Sequence, residues 1–110
     1  MEKETIAEYL KRYHCGEQSA VTSRELEIAF DVRGKDFRNI INALRRSGVP
    51  IASSGSGYFY AATAQEVRHT IAHMTHRITG ISAAIRGLSQ SLEDFDTDQE
   101  RLLLDGGGGP

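Results

Sequence analysis

Three histidines in the second half of the chain have the spacing of metal ligands. His69, His73 and His76 follow one another at i, i+4 and i+7 and therefore share one face of a helix. An i, i+4 pair of imidazoles can chelate a divalent cation because both rings reach one point. These histidines take outer positions in the apolar repeat of their helix, however, and no carboxylate on the same turns completes a ligand shell. We therefore expect a solvent-exposed histidine face, with no metal and no other cofactor.

Other residues capable of chemistry lack the neighbours that catalysis requires. His14 and Cys15 are adjacent at the end of a predicted helix, without a visible base and oxyanion partner. Residues 54–57, Ser-Gly-Ser-Gly, are similar to a glycine-rich phosphate loop, but they connect two predicted strands and open no helix. The acidic residues gather at the ends of the chain rather than in a cleft. The sequence thus predicts no catalytic residues and a protein that is not an enzyme.

A polar stripe on the third predicted helix has the chemistry of DNA recognition. Its four residues are spaced by 4, 3 and 4 and lie opposite the apolar face of the helix: Lys35, Asn39, Asn42 and Arg46. Arg33 and Arg38 lie beside the stripe. Asparagine can pair through two hydrogen bonds with an adenine edge, whereas lysine and arginine suit guanine or phosphate. Because the stripe contains no acid, it favours DNA contact over an ordinary solvated helix face.

The start of the second predicted helix offers a contact for the DNA backbone. Thr22 and Glu25 form a capping box, which satisfies the free amides at a helix start. The amide-rich N-terminus of a helix in this position commonly meets a phosphate. Capping alone explains Thr22, so Ser23 and Arg24 are the predicted contacts.

Apolar periodicity predicts the elements that position these residues. The predicted helices cover about residues 3–14, 23–30 and 34–47. Their core faces are Ile6, Leu10 and Tyr13; Leu26, Ala29 and Phe30; Phe37, Ile40, Ile41 and Leu44. Two strands follow at 49–52 and 58–61, joined by a flexible hairpin tip at 53–57. The expected fold is mainly α with a small β-hairpin.

A long apolar repeat predicts a last helix over residues 63–92, opened by a second capping box at Thr63 and Glu66. The apolar positions alternate in steps of 4 and 3: Val67, Ile71, Met74, Ile78, Ile81, Ile85, Leu88 and Leu92. The first two turns can pack on the domain, but a domain of this size cannot cover the rest. We expect the remaining positions to mediate self-association into a dimer or a higher oligomer: Ile78, Ile81, Ile85, Leu88 and Leu92.

The formal net charge of −2 conceals a strong segregation along the chain. Residues 32–60 contain five basic residues and one acid, whereas residues 93–110 contain six acids and one arginine. The basic segment coincides with the polar stripe, and the acidic, glycine-ended segment is predicted to be a flexible tail. Near-neutrality of the whole chain therefore argues only against strong non-specific binding to nucleic acid.

Two segments, 21–34 and 41–51, resemble the winged helix-turn-helix at the N-terminus of biotin-operon-repressor-type regulators. In that family a run similar to residues 43–51, Ala-Leu-Arg-Arg-Ser-Gly-Val-Pro-Ile, leads from the recognition helix into the wing. Residues 57–60, Gly-Tyr-Phe-Tyr, match the second wing strand. The resemblance covers about residues 5–62, and small prophage and mobile-element proteins are similar as well.

This resemblance implies a recognition helix at residues 34–47 and a wing at residues 49–61. Winged helices of this family usually bind DNA, and some have become protein-interaction modules. The chain departs from the family at the wing tip, residues 53–57, which contains no lysine or arginine. The wing would therefore hold a phosphate through hydroxyl groups and backbone amides.

Together these patterns predict a winged-helix domain over residues 1–62, an oligomerisation helix over 63–92 and an acidic tail over 93–110. The predicted function is sequence-specific binding of double-stranded DNA by a transcriptional regulator, of repressor or prophage and mobile-element type. The alternative is a winged-helix adaptor for protein interaction, replication or assembly that oligomerises without specific DNA binding.

The expected location is the cytoplasm. No apolar run reaches the roughly 18–20 residues that span a membrane. The charged N-terminus argues against export, and a single cysteine fits a reducing compartment.

Overall fold

A computed structural model describes residues 2–105, with side chains described from Lys3 to Thr97. The protein is mainly helical, with a two-stranded antiparallel hairpin and a long C-terminal helix, which confirms the predicted fold class. The elements are α1 (Glu2–Tyr13), α2 (Ser23–Phe30), α3 (Lys35–Arg46), β1 (Ile51–Ser54), β2 (Gly57–Tyr60) and α4 (Ala64–Asp105), with a short 3-10 helix at Glu17–Ser19. The chain divides into two compact units, residues 1–73 and residues 74–110.

Two residues with positive φ build the connection between α2 and α3. α2 ends at Asp31, whose φ of 53° lies in the left-handed region. α3 follows Gly34, at φ 61°, whose amide donates a hydrogen bond to Glu27 Oε1 at 3.2 Å. The connection is therefore only residues 31–34, which is the length of the turn in a helix-turn-helix.

The core lies where α1, α2 and α3 meet β1. Eight buried apolar residues form it: Ile6, Leu10, Val21, Leu26, Phe37, Ile41, Leu44 and Ile51. Two predicted core residues are wrong, because Tyr13 is 58% exposed and Ala29 is also exposed. Tyr13 is the last residue of α1 and packs on Tyr9 at the surface, with ring centroids 5.2 Å apart. α2 buries only a narrow strip at Leu26, flanked by Phe30, which is set edge-on against Tyr9.

The hairpin is tighter than predicted. Antiparallel pairing extends over all four residues of each strand. The turn contains only Gly55 and Ser56, so the five-residue flexible tip predicted at 53–57 is wrong. Ser53 is held in β1 because its amide donates a hydrogen bond to Thr70 Oγ1, 3.2 Å away in α4.

The second edge of β2 is hydrogen-bonded to the segment that precedes α2. Val21 and Tyr58 exchange two backbone hydrogen bonds, at 2.8 and 2.7 Å. Further along the strand, the amide of Gly16 donates to the carbonyl of Tyr60 at 2.8 Å. The approach is closest at Gly57, at φ 128°, where a Cβ would overlap the carbonyl group of Val21. These contacts fasten the hairpin directly to the start of α2.

Glu66 fastens the start of α4 to the rest of its unit. Its carboxylate accepts hydrogen bonds from the amides of Glu17 at 3.0 Å, Ala62 at 2.7 Å and Thr63 at 3.3 Å. The bond from Thr63 completes the predicted capping box, whereas the bond from Glu17 reaches 49 positions back along the chain. These amide donors, that of Glu17 foremost, favour the charged carboxylate and lower the pKa of Glu66 from its usual value of 4.5.

α4 is longer than predicted. The prediction ended this helix at Leu92 and made residues 93–110 a flexible tail, but the helix continues to Asp105. Residues 93–105 contain neither glycine nor proline, so no helix breaker stands in them. Residues 106–110 of the predicted tail lie outside the described residues.

Although α4 has 42 residues, no helix in the described part of the chain combines enough length and hydropathy to cross a membrane.

Replacing Gly57 by alanine should destabilise the first unit. The added methyl group meets the Val21 carbonyl at an unfavourable positive φ, so we expect Gly57→Ala to lower the free energy of unfolding by at least about 1–3 kcal/mol. Gly55→Ala is the matched control: its Cβ would have no neighbour within 4 Å, and we expect a change within about 0.5 kcal/mol. Urea denaturation followed by circular dichroism measures both. Equal effects of the two variants would contradict the close approach of β2 to Val21.

Replacing Glu66 by glutamine should lower stability in a pH-dependent way. Because the pKa of Glu66 is lowered in the folded state, its contribution is fully present above the unfolded-state pKa of 4.5 and is lost as the pH falls through the folded-state pKa. The difference in unfolding free energy between wild type and Glu66→Gln should therefore be constant between about pH 7 and pH 5.5 and shrink at lower pH. Denaturation curves across this series measure it. A difference that stays constant to about pH 3 would show that the charge of Glu66 is not what stabilises the fold.

Candidate nucleic-acid interface

The predicted polar stripe lies on the exposed face of α3. The opposite face is anchored by Phe37, Ile41 and Leu44, which are only 1–3% exposed. With about 100° of rotation per residue, the outer face then carries all four predicted residues: Lys35, Asn39, Asn42 and Arg46. All four are exposed, and within the described part of the chain none makes a side-chain hydrogen bond, ion pair or ring contact. Their polar groups are therefore available to a ligand, and the exposed Arg38 lies beside them.

Arg24 and Arg33, two further predicted contacts, lie together in surroundings of mixed charge. Both line a shallow depression of about 310 Å³ that also contains Glu27 and Asp31. Oε1 of Glu27 already accepts a hydrogen bond from the Gly34 amide. A phosphate bound here would share the two arginines with the carboxylates, which makes this edge less favourable for DNA than the α3 stripe.

The start of α2 and the hairpin turn line a groove rich in hydroxyl groups. The groove has a volume of about 330 Å³, and its walls are Thr22, Ser23 and residues 53–58, which include three serines. The hydroxyl of Thr22 is committed to Glu25, since it accepts from the amide at 3.2 Å and donates to Oε1 at 3.0 Å. The half-buried Ser23 makes no side-chain hydrogen bond within the described residues. The predicted helix-start contact and the predicted wing contact therefore share one groove.

Arg45 has a structural role that the sequence analysis missed. Its Nε donates to the Ile51 carbonyl at 2.8 Å, its Nη2 donates to Ser53 Oγ at 3.1 Å, and its guanidinium lies 5.8 Å from the centre of the Tyr58 ring. These contacts join the end of α3 to the hairpin. The sequence could have indicated this role, because Arg45 follows the buried Ile41 by four residues and therefore lies only about 40° from it around the helix.

The histidines of the predicted face are exposed, and two of their rings lie against each other. His69 and His73 stack on one another, with ring centroids 5.7 Å apart and ring planes 18° from parallel. Both line a cavity of about 320 Å³ that also contains Glu17 and Glu66. The Glu66 carboxylate is already occupied by three amides, and the described residues contain no cluster of three His, Cys, Asp or Glu side chains that could hold a metal ion.

His14 and Cys15, at the end of α1, both contact the backbone of nearby segments. Nδ1 of His14 donates a hydrogen bond to the Ser19 carbonyl at 2.8 Å. Cys15 is an exposed free thiol, and it lies in the bridge that joins this segment to Tyr60 of β2.

The predicted oligomerisation residues lie in the second unit, on the exposed surface of α4. Between 57% and 69% of each side chain is exposed: Ile78, Ile81, Ile85, Leu88 and Leu92. Large aliphatic side chains repeated along one helix face are typical of an interaction surface rather than of isolated surface residues.

The two adjacent arginines at the end of α3 should differ in their effect on stability. Arg45→Ala removes two hydrogen bonds from a charged donor and should lower the free energy of unfolding by about 1.5–3 kcal/mol. Arg46→Ala removes an exposed side chain and should change it by less than about 0.5 kcal/mol. Thermal and urea denaturation of the two variants measure this difference. A loss as large in Arg46→Ala as in Arg45→Ala would refute the assignment of Arg45 to the hairpin.

Comparison with models of protein families, with curated proteins and with solved structures found no match to this chain. The likeness to winged-helix regulators therefore depends on the quoted sequence segments alone, and the case for a function depends on the geometry of these residues.

Proposed function

We propose that this protein is a sequence-specific double-stranded DNA-binding regulator of transcription that works as a dimer or higher oligomer in the cytoplasm. The observation that carries this proposal is the outer face of α3, where an acid-free set of two asparagines and two cations is exposed and uncommitted. α3 is the second of two helices joined by four residues, which is the place of a recognition helix in a helix-turn-helix.

In the proposed complex α3 enters the major groove. Its 12 residues make a rod about 18 Å long, and the major groove, about 12 Å wide, admits a single helix. Asn39 and Asn42 lie in the middle of the stripe and are suited to adenine edges, whereas Lys35 and Arg46 at its ends are suited to guanine or to phosphates. The middle of the helix would then read bases, and its ends would set the register.

The groove between α2 and the hairpin is suited to a backbone phosphate. It combines the hydroxyl of Ser23, the free amides at the start of α2 and the serine hydroxyls of the hairpin. Such contacts carry no sequence information, but they orient the recognition helix on the duplex. This groove replaces the basic wing tip that the chain lacks.

Self-association completes the proposal. A single module with about five basic contacts binds DNA weakly at cellular salt. Each phosphate contact releases counterions, and the free energy gained from this release falls as the salt concentration rises. Two modules held together can contact two half-sites of the duplex at once and therefore bind it more tightly. The exposed apolar face of α4, from Ile78 to Leu92, supports such an assembly. A repressor or a prophage regulator is the corresponding kind of protein.

One observation favours the alternative, a protein-interaction or assembly adaptor. Ile28 of α2 is 71% exposed, in the same depression as Arg24 and Arg33 and their neighbouring acids. A large apolar side chain ringed by both signs of charge is more typical of a protein interface than of a DNA interface. In this alternative α2, rather than α3, carries the contact.

Binding to duplex DNA should fall with salt, and the fall should depend on α3. We expect the slope of log affinity against log salt to decrease by about 1–2 in the double variant Lys35→Ala with Arg46→Ala, because each lost phosphate contact contributes about 0.9. Lys3→Ala with Arg12→Ala on α1 removes the same charge from another exposed surface and should leave the slope nearly unchanged. Fluorescence anisotropy with a random-sequence duplex measures both.

Asn39→Ala with Asn42→Ala separates base reading from backbone attraction. This variant should retain the salt slope and lose selectivity among duplexes enriched by selection from a random pool. Absence of duplex binding at low salt would overturn the DNA proposal and favour the adaptor.

A further inference from the structure

The exposed apolar face of α4 is longer than the predicted one. Because the helix continues beyond Leu92, Phe95 follows at the next step of the repeat and is 69% exposed. Six large apolar residues of the second unit therefore form one seam: Ile78, Ile81, Ile85, Leu88, Leu92 and Phe95. Each of them is more than half exposed, so the seam is an uncovered apolar surface in the described part of α4.

The order of residues in the seam is complementary to itself when two copies run in opposite directions. An antiparallel second copy can be placed so that Ile85 faces its Leu88, and the steps of 3 and 4 then bring every other seam residue opposite one of the second copy. In this register Ile78 faces Phe95, and Ile81 faces Leu92. Each of these pairs occurs twice, and no seam residue is left unpaired.

The distribution of charge along α4 favours the same direction. The N-terminal half carries Arg77 and Arg86 and no acid, whereas the C-terminal half carries Glu93, Asp94 and Asp96 and no basic residue up to Thr97. Antiparallel packing brings the basic half of each copy beside the acidic half of the other. Parallel packing in register would place the acidic halves of both copies at the same end of the pair, which is less favourable.

The residues that flank the seam allow two helices to approach closely. They are small on both sides through the middle of the seam: Ser82, Ala84, Ser89 and Ser91. Small flanking residues remove the side-chain bulk that would otherwise keep two helices apart.

We propose that a second copy of this chain covers the seam, packing antiparallel along α4 with Ile85 opposite Leu88. The inference rests on the self-association in the proposed function and adds to it the direction, the register and the number of chains, which is two. Buried between two copies, the six side chains would lose the contact with water that they have in the single chain.

Disulfide trapping in the full chain tests the direction. The single native cysteine, Cys15, is exposed and is first removed as Cys15→Ser. In that background Ile78→Cys and Phe95→Cys are prepared separately, one with a size tag, and are mixed under mild oxidation after exchange of subunits. We expect the mixture to give at least ten times as much disulfide-linked dimer as either variant gives alone. The dimer from the mixture should contain one tagged and one untagged chain. Two copies of Ile78 lie about 26 Å apart in the antiparallel register, far beyond the reach of a disulfide.

The matched control is the pair Ala83→Cys and Gln90→Cys. In the antiparallel register Ala83 of one copy lies level with Gln90 of the other, but both residues are on the outer face of the helix. A mixture of these two variants should therefore give only background cross-linking. Self-cross-linking of Ile78→Cys at the level of the mixture would show a parallel pair and overturn the inference, while the proposed function stands.

Analytical ultracentrifugation tests the number of chains. We expect twice the chain mass of 12.1 kDa for the wild type and the single-chain mass for Ile78→Asp with Ile85→Asp, with the α-helical circular dichroism of the first unit retained. A wild type at the single-chain mass, or at three or more chain masses, would overturn the inference. The salt-dependent binding of duplex DNA is measured independently of this outcome, so failure of the assembly and failure of DNA recognition are distinguishable.

Discussion

Strand β2 is hydrogen-bonded along both of its edges, and the candidate interface depends on this arrangement. One edge pairs with β1 and the other with Val21 and the segment after α1. The second pairing requires two backbones to approach so closely at Gly57 that no side chain fits between them. Because Val21 immediately precedes the cap of α2, its pairing with β2 also sets where that helix begins relative to the hairpin. The hydroxyl-rich groove exists only because of this contact, since its two walls belong to segments that are remote in sequence.

Within the first unit, basic residues of α3 have two different surroundings. Arg45 donates its hydrogen bonds to the hairpin, to the Ile51 carbonyl and to Ser53 Oγ. Lys35 and Arg46 make no such bonds within the described residues and remain exposed. A charged side chain that is already paired would have to break its bonds to meet a phosphate, whereas an unpaired one loses only water. The outer face of α3 therefore keeps its unpaired cations, Lys35 and Arg46, because Arg45 is the residue that bonds to the hairpin.

α4 is stabilised differently at its start and along the rest of its length. At the start, Glu66 and the buried Thr70 bond to residues of other elements, and these bonds add to local helix preference. From Ile78 onward the large apolar side chains are exposed. Helices in water derive most of their stability from packing an apolar face, so a helix of this length with an uncovered seam is expected to gain stability from a second copy. Assembly and the order of the second unit would then be coupled.

The sequence by itself determined what depends on residues within one or two helical turns. The cap at Thr22, the capping box at Glu66 and the outward stripe of α3 were all predicted, because each follows from helical spacing of four residues or fewer. Tertiary structure decided the rest. The role of Arg45, the hydrogen bond that holds Ser53 to Thr70 and the pairing of β2 with Val21 depend on which segments meet, and the local sequence pattern does not show which segments those are. The Glu17 amide and the Glu66 carboxylate, 49 residues apart, show the reason: a local pattern names the donor or acceptor, but only the folded chain supplies its partner.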